Sequence, residues 1–321
     1  MVAYRHLGSS GLKITEITYG NWLTHGSQVE ADTAIQCVHT ALDLGITSFD
    51  TADVYANTRA EEVLGRALAG QRREGLEIFT KVYWPIGPKG PNDVGLSRKH
   101  IMEGIDASLK RLGTDYVDLY QIHRFDYDTP IEETLEALND VVKAGKALYL
   151  GASSMWARQF VRMVLTSRAN GWAEFVSMQD FYNLAYREEE REMHPFCREE
   201  GIGIIPWSPL ARGFLAGNRP AQGEGSTRAK EDELAQGYFG SLQDYRVKAR
   251  LDEVAARLGL KPSVLALAWV LAKPGISAPI IGATKIEHLD DALAALDVTL
   301  DAETIASLEE PYQPRAVQGH R

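Results

Sequence analysis

The sequence predicts an α/β fold in which eight parallel strands and their helices close into a (β/α)8, or TIM, barrel. The chain has 321 residues, and a barrel of this kind needs about 250 residues plus insertions. Short β-rich runs alternate with amphipathic helical stretches from Ile17 to Ala295, and the unit repeats eight times. A doubly wound sheet is the alternative, but no G-x-G-x-x-G turn follows the first strand.

The eight predicted barrel strands are short runs rich in β-branched, aromatic and small residues. They are residues 17–20, 48–50, 76–81, 116–122, 147–153, 175–179, 203–206 and 278–282.

Two of the intervening helices carry both a start and a stop signal. One opens at Thr129-Pro130 and closes at Gly145, and the other runs from a Ser97 cap to Gly113. Apolar residues recur at helical spacing between these signals, so each helix is predicted to bury one face.

The segments outside the repeat have distinct predictions. Residues 4–7 and 12–14 flank Gly8-Ser9-Ser10-Gly11, which predicts an N-terminal β-hairpin that closes the bottom of the barrel. Residues 216–241 are rich in Gly, Pro and charge, which predicts a long functional or mobile loop after the seventh strand. Nothing marks a second domain, so residues 1–321 are predicted to form one.

Composition disfavours several classes of partner. The chain has 34 Lys and Arg against 44 Asp and Glu, a net charge of −10 and a pI near 5.4, so nucleic acid and anionic membranes would be repelled. Cys37 and Cys197 are far apart in sequence and lack the spacing of a disulfide framework or a metal site. We therefore expect a cytoplasmic protein that binds no nucleic acid, membrane or metal.

Polar residues follow several strands at the carboxyl ends, where the active site of such a barrel lies. Asp50 ends the second strand, Lys81 the third and His123 the fourth, and Tyr55 follows Asp50 by one short loop. We expect these four side chains to gather at one rim. The other strand ends carry Ser153, Gln179, Trp207-Ser208 and residues 282–285.

A cluster of this type is suited to proton transfer at a carbonyl. A tyrosine hydroxyl has a pKa near 10, and an adjacent ammonium such as Lys81 lowers it. Asp50 would anchor Lys81, and His123 would hydrogen-bond the oxygen on which charge develops. Taken singly, these residues have ordinary structural roles as an ion pair, a packed ring or a rim histidine. Lys81 could also form a Schiff base, as in barrel aldolases.

Eight motifs carry a resemblance to one family. They are GNWLTHG (20–26), FDTADVY (49–55), AEEVLGRAL (60–68), FTKVYW (79–84), GLSRKHI (95–101), SLKRLGTDYVDLYQIH (108–123), WSPLARGFL (207–215) and GAT (282–284). On these motifs the chain resembles the aldo-keto reductases, and within them the group similar to the β-subunits of voltage-gated potassium channels and their bacterial relatives. The resemblance implies NADPH-dependent reduction of an aldehyde or ketone, with a catalytic tetrad of Asp50, Tyr55, Lys81 and His123.

The resemblance also implies where the dinucleotide binds. Trp207 would stack on the nicotinamide, and Ser153 and Gln179 would hold its carboxamide. The pyrophosphate would be bound by the backbone of Ser208, Leu210, Arg212 and Gly213.

The other implied cofactor contacts lie nearer the adenosine or at the barrel mouth. The family's Ser, Gln, Glu and Asn positions fall on Thr284, His288, Asp291 and Ala292, so the implied adenine contacts are altered and partly lost. The resemblance implies NADPH, and NADH stays an alternative cofactor. The remaining implied contacts are Trp22, Gln28, Asp50, Arg228, Gly282 and Lys285, with Arg228 and Lys285 near the 2′-phosphate.

Aromatic residues in the loops after strands one, three and four are predicted to line a cleft for a small carbonyl substrate. They are Trp22, Tyr83, Trp84 and Phe125, beside Tyr55 and His123. Channel β-subunits commonly have an amide where this chain has His123, which favours an efficient reductase over a cofactor-sensing regulatory subunit. The family contains both monomers and oligomers, so a homo-oligomer is compatible with the sequence.

Overall fold

A computed structural model describes residues 2–22, 25, 30–217 and 238–320. In these ranges, β1 (Tyr4–His6) and β2 (Lys13–Thr15) form an antiparallel hairpin, and eight further strands form one parallel sheet. The parallel strands are β3 (Thr18–Gly20), β4 (Ser48–Asp50), β5 (Glu77–Val82), β6 (Val117–Ile122), β7 (Ala147–Ser153), β8 (Phe175–Gln179), β9 (Gly203–Ile204) and β10 (Ile280–Ile281).

The parallel sheet closes on itself. Its strand order is β10-β3-β4-β5-β6-β7-β8-β9, so the two edge strands are the first and last of this order. The Ser277 amide donates to the Ile204 carbonyl at 2.8 Å, and the Ile280 amide donates to the Pro206 carbonyl at 2.9 Å. Because these bonds join the β9 and β10 segments, the backbone groups at the edges are paired. This confirms the predicted (β/α)8 barrel.

Ten α-helices lie in the described ranges. They are α1 (Ala31–Asp43), α2 (Arg59–Leu68), α3 (Arg98–Leu112), α4 (Ile131–Lys143), α5 (Ala157–Asn170), α6 (Met193–Glu199), α7 (Leu242–Leu258), α8 (Pro262–Leu271), α9 (Glu287–Leu296) and α10 (Ala302–Glu309).

Both helices with complete sequence signals form where they were predicted. Ser97 Oγ accepts the His100 amide at 3.2 Å, which satisfies one of the free N–H groups at the start of α3. Gly113 ends α3 with a φ of 66°, a conformation that glycine adopts without strain. α4 begins directly after Pro130.

The N-terminal hairpin closes the amino-terminal end of the barrel, as predicted. Leu7 and Ile14 are fully buried and pack with Phe79 and Leu119 from the barrel interior. The turn at Gly8 requires glycine, because its φ is +59° and a Cβ there would lie 2.2 Å from the Gly201 carbonyl oxygen. The hairpin thereby leaves the opposite, carboxyl-terminal end of the strands as the open mouth.

The connection between β9 and α7 lies partly outside the described residues. The predicted loop of residues 216–241 overlaps them only at its two ends, and Ser241 caps α7 by accepting the Asp244 amide at 3.2 Å. No single helix of the described ranges is apolar over enough length to cross a membrane, while α7 and α8 pass that test only as a pair, with a bend of 100° between them.

Candidate active site

A cavity of about 680 Å³ opens at the carboxyl-terminal mouth of the barrel. It extends from Tyr55 and His123 to Ser263 on α8 and Asp291 on α9. Because the strands are parallel, their carboxyl ends bring residues from distant parts of the sequence to this one rim. The strand-end and following residues that line it are Gly20, Asp50, His123, Ser153, Gln179, Trp207, Ser208, Ile281 and Gly282.

The Lys81 ammonium is fully buried beside Asp50 and Tyr55, which line the cavity. Its Nζ donates to Asp50 Oδ1 at 2.5 Å, to the Thr51 carbonyl oxygen at 2.8 Å and to Tyr55 Oη at 3.2 Å. An ammonium has three N–H donors, and these three acceptors satisfy all of them. β4, the loop that follows it and β5 therefore hold three of the four predicted catalytic residues in direct contact.

The second oxygen of the Asp50 carboxylate is bound by two buried glutamines. Gln121 Nε2 donates to Asp50 Oδ2 at 3.0 Å and Gln179 Nε2 at 2.8 Å. Gln179 Nε2 also lies 3.1 Å from Gln121 Oε1. The carboxylate is thus fixed from both sides and neutralised by Lys81.

Gln121 was missed by the reasoning from sequence. It lies on β6 two residues before His123, so the two side chains point to the same face of the strand. A glutamine in a strand whose residues are all buried, two positions before a strand-end histidine, is the signal that could have identified it.

The ionisation of the central group favours a charged Lys81 and a protonated Tyr55. Burial lowers the pKa of Lys81, but the charge of Asp50 and the hydrogen bonds to Asp50 and Tyr55 outweigh it, so the pKa is raised. Burial raises the pKa of Tyr55, and although Lys81 opposes this, the net pKa lies above its ordinary value. The expectation of a net lowered Tyr55 pKa is wrong here, because burial and the negative charge of Asp50 exceed the effect of Lys81.

The His123 imidazole is neutral at neutral pH. Burial, followed by the positive charges of Arg124 and Lys81, holds its pKa well below the ordinary histidine value. Its ring meets the Tyr55 ring edge to face, with centroids 5.7 Å apart. Nδ1 is buried and has no hydrogen-bond partner among the described residues. His123 therefore lies beside the Tyr55 ring as a neutral hydrogen-bonding group.

The Trp207 indole lines the cavity and is held from behind. Phe181 stacks on it with centroids 4.4 Å apart and planes inclined by 20°. Its Nε1 donates to Ser154 Oγ at 3.0 Å, and Ser154 Oγ in turn lies 3.4 Å from Ser153 Oγ. Phe181 and Ser154 were not predicted as site residues, and they fix the orientation of an indole that was.

The loop after β9 has an unusual backbone. Ser208, Ala211 and Arg212 all adopt positive φ, at 53°, 50° and 58°. Left-handed conformations are costly for such residues, and they cluster at ligand-binding sites. The backbone N–H groups of Ser208 and Leu210 have no acceptor among the described residues. Adjacent N–H groups of this kind form binding sites for anions.

Comparison with known proteins identifies the family. The aldo/keto reductase family matches residues 16–313. An aldo-keto reductase of Fusarium vanettenii is 40% identical, over 99% of this chain and 93% of the relative. A versiconal hemiacetal acetate reductase of Aspergillus parasiticus is 39% identical, over 98% of both chains. A protein of Saccharomyces cerevisiae, provisionally named an aryl-alcohol dehydrogenase, is also 39% identical, over 98% of both chains.

This chain belongs to the aldo-keto reductase family. It is accordingly an oxidoreductase, and members of the family generally use nicotinamide cofactors. The more specific resemblance to channel β-subunits stays a prediction.

The mouth of the reductase fits a dinucleotide. The exposed part of the Trp207 indole offers a flat apolar surface, and the Ser208 and Leu210 N–H groups offer donors beside it. Arg212 crosses from the same loop to Trp22, with its guanidinium 3.9 Å from the centre of that indole ring. Gly213 lines the cavity next to it.

The far end of the reductase cavity carries some of the predicted adenosine contacts. His288, Asp291 and Gly282 line it, whereas Thr284 and the exposed Lys285 do not, although the Thr284 amide donates to His288 Nδ1 at 3.3 Å.

The Asp291 carboxylate is held in two hydrogen bonds. Its oxygens accept from Lys261 Nζ at 2.6 Å and Ser263 Oγ at 2.9 Å. Gln28 and Arg228, which the resemblance also implied, lie outside the described residues.

The predicted substrate residues of the reductase divide into two groups. Trp22 and Trp84 line the cavity with Tyr55 and His123, whereas Tyr83 is not among the lining residues and packs edge-on against Trp84 at 4.8 Å.

Phe125 is also absent from the main cavity. It lines a separate cavity of about 370 Å³ and packs edge-on against Tyr127, with centroids 5.1 Å apart. Arg124, which was not predicted, lines the main cavity in its place.

Proposed function

We propose that this reductase uses NADPH to reduce aldehydes and ketones to alcohols, with Tyr55 as the proton donor. The observation that carries the proposal is the arrangement around Lys81, whose ammonium contacts both the Asp50 carboxylate and the Tyr55 hydroxyl at the cavity mouth. The His123 ring packs edge to face against the Tyr55 ring, and Trp207 lines the same cavity.

The chemistry divides between the cofactor and the protein. NADPH, when bound, supplies the hydride that adds to the carbonyl carbon. Tyr55 donates its proton to the carbonyl oxygen, which converts C=O to CH–OH and leaves a phenolate. Lys81 stabilises that phenolate through the contact at 3.2 Å, and Asp50 keeps Lys81 in place. Neutral His123 hydrogen-bonds the carbonyl oxygen and orients it toward Tyr55.

The pKa of Tyr55 is consistent with this role. A raised pKa keeps the hydroxyl protonated before the reaction, which a general acid requires. The charge of Lys81 acts most strongly once the phenolate has formed, because an ion pair then replaces a contact between an ammonium and a neutral phenol. The same ammonium therefore favours the transfer even though burial dominates the ground state.

NADPH is the proposed cofactor because the family generally uses it. Within the described residues, Trp207 would carry the nicotinamide, the Ser208 and Leu210 N–H groups would bind the pyrophosphate, and His288 would lie near the adenosine. Asp291 does not present an unpaired charge at this end, because Lys261 neutralises it. Titrations with NADPH and NADH, followed by quenching of the intrinsic tryptophan fluorescence, measure the preference directly.

Aromatic aldehydes are the proposed substrates. Trp22, Trp84 and the rings of Tyr55 and His123 line the cavity, and aromatic walls of this kind bind flat apolar molecules. The provisional name of the yeast relative, aryl-alcohol dehydrogenase, supports the same class. Benzaldehyde is therefore the first substrate to test, with oxidation of NADPH followed by the loss of reduced-nicotinamide absorbance.

Tyr55→Phe tests the assignment, because it removes one hydroxyl and keeps the ring. We expect NADPH to bind with unchanged affinity and turnover of benzaldehyde to fall by about 10²–10⁴-fold, the usual contribution of a general acid. Turnover close to that of the wild type would contradict the role of Tyr55. Unchanged fluorescence quenching by NADPH is the control that the site has kept its shape.

The two alternatives predict different results. A cofactor-sensing subunit would bind NADPH tightly and transfer hydride very slowly in stopped-flow measurements, even with Tyr55 intact. A Schiff-base enzyme would be trapped by borohydride on Lys81 without nicotinamide. The buried, charged state of Lys81 with three hydrogen bonds argues against the second, because a protonated amine is not a nucleophile.

A further inference from the structure

We propose that Arg124 recognises a carboxylate on the substrate, so that the preferred substrates are aromatic aldehydes that carry an acid group. This inference rests on the proposed function and deepens it. It concerns a residue that the sequence reasoning did not select and that lies directly after His123 at the end of β6.

Arg124 lines the active-site cavity between His123 and the aromatic wall. Its Nη1 donates to the His123 carbonyl oxygen at 2.6 Å, and its guanidinium lies 5.9 Å from the centre of the Trp84 ring. Its Nε is buried and has no hydrogen-bond acceptor in the described part of the chain. A guanidinium has five N–H donors, so most of the hydrogen-bonding capacity of this group is not used by the protein.

Arg124 also lacks a carboxylate partner. Within the described ranges no Asp or Glu oxygen lies within 4.0 Å of its guanidinium. Other partly buried arginines of this reductase are paired, so the absence at Arg124 is not a general property of its arginines. The paired examples are Arg73 with Asp118, Arg111 with Glu61, Arg187 with Glu309 and Arg315 with Asp244.

A partly buried cation without an anionic partner is costly to the fold. Burial lowers the pKa of Arg124, since the charged form loses its hydration. An arginine nevertheless stays protonated at neutral pH. A charge held in a cavity without a protein partner is typical of a group that is paired by a ligand. Guanidinium matches carboxylate in shape and charge and forms two parallel hydrogen bonds with it.

The position of Arg124 indicates that its guanidinium would contact the substrate and not the dinucleotide. β6 is four strands away from β10 in either direction around the barrel, and three strands away from β9. The residues that fit the pyrophosphate and adenosine follow β9 and β10, whereas Arg124 shares its side of the mouth with His123 and Trp84. The cofactor and the guanidinium would therefore approach the reacting carbonyl from different sides.

The local charge at this side of the cavity supports an anionic substrate. Among the described lining residues, the carboxylates are Asp50, which Lys81 neutralises, and Asp291 at the far end, which Lys261 neutralises. Arg124 is then an uncompensated positive charge, in a protein whose net charge is −10. A carboxylated aldehyde would be attracted electrostatically to Arg124, although the net charge of the protein would repel it on average.

The test compares binding and turnover of matched acids and amides. Binding of benzoate and benzamide is measured by calorimetry on the wild type and on each variant with NADP⁺ present. Turnover is measured with 3- and 4-carboxybenzaldehyde and the corresponding carbamoyl compounds. The variants are Arg124→Gln, which removes the charge, and Arg124→Lys, which keeps the charge but not the fork. Arg66→Gln on the exposed face of α2 is the matched control.

The wild type should prefer the acid over the amide by about 10- to 100-fold in both affinity and kcat/KM, the range expected of charge-assisted hydrogen bonds. Arg124→Gln should abolish this preference, mainly through KM, Arg124→Lys should retain part of it, and Arg66→Gln should retain all of it. Melting curves establish that the variants fold, and Arg124→Lys serves if the glutamine variant does not.

Equal binding of benzoate and benzamide by the wild type, or a preference that survives in Arg124→Gln, would overturn the proposal. The proposed function fails separately, if neither the acids nor the neutral aldehydes oxidise NADPH or NADH. The calorimetric comparison of acid and amide decides the role of Arg124 even in that case, because it does not depend on turnover.

Discussion

Lys81→Met perturbs the buried ion pair on which the proposed chemistry depends. Methionine replaces most of the volume of the side chain but none of its charge, so Asp50 is left with Gln121 and Gln179 as donors. Breaking a buried pair by removing one partner costs about 3–5 kcal/mol of unfolding free energy. With an unfolding entropy of about 2.1 cal/mol/K per residue, over 321 residues, Tm should fall by roughly 4–8 °C.

A double-mutant cycle separates the charge effect from lost packing. Asp50→Asn alone leaves Lys81 buried without its anion and should also destabilise the fold by about 3–5 kcal/mol. The variant with both substitutions contains no uncompensated charge, so its loss of stability should be clearly smaller than the sum of the two single losses. All three variants should lose benzaldehyde turnover, because each removes a group that acts on Tyr55.

The assay is thermal and chemical unfolding of the four proteins under one condition, with NADPH-dependent turnover measured in parallel. Additive losses, within about 0.5 kcal/mol, would refute the reasoning, because residues that do not interact behave additively. A Lys81→Met variant with wild-type turnover would refute the catalytic part on its own, whatever the unfolding data show.

Three further predictions concern other parts of the fold. The folded protein holds the pKa of His123 below its ordinary value, so the stability that neutral His123 contributes is present above the ordinary histidine pKa and is lost as pH falls from there through the lowered pKa. We expect kcat to fall at the acidic end of this pH window, and His123→Asn to remove that fall in kcat. Burial, followed by the charge of Glu61, raises the pKa of Asp53, so stability is lost as pH rises through the raised value; Asp53→Asn should raise Tm at neutral pH, and the gain should vanish in acid. Gly8→Ala should destabilise the fold by more than Gly70→Ala, for which about 1 kcal/mol is expected, because Gly70 also has positive φ but a Cβ there would meet nothing within 4 Å. Equal losses of Tm in the two variants would contradict the close approach at Gly8.

Local signals account for what could be predicted of the fold. The alternation of strands and helices, the caps at Ser97 and Gly113 and the turn at Gly8 depend on residues close together in the chain, and all of them could be predicted from sequence. Strand-end placement also predicted that Asp50, Lys81 and His123 would share one rim, because parallel strands of a barrel all end on the same side.

The composition of the cavity could not be predicted in full in this way. Gln121 and Phe181 bind or support residues that lie far from them in sequence. Gln121 had one local signal, its spacing of two from His123, and Phe181 had none. Tyr83 and Phe125 are aromatic residues in the loops after strands, as pocket residues often are, but their rings pack against Trp84 and Tyr127 and do not line the main cavity.

The sequence by itself determined the order of strands and helices, the family and the identity of the groups at the barrel mouth, because short-range periodicity, caps and motifs are properties of neighbouring residues. Tertiary structure alone decided the ionisation of those groups and which of them have partners. The pKa of Tyr55 rises because burial exceeds the attraction of Lys81, and Arg124 stays unpaired because no described carboxylate folds back to it. Both outcomes depend on the balance between desolvation and charge at distances that only the packed barrel sets.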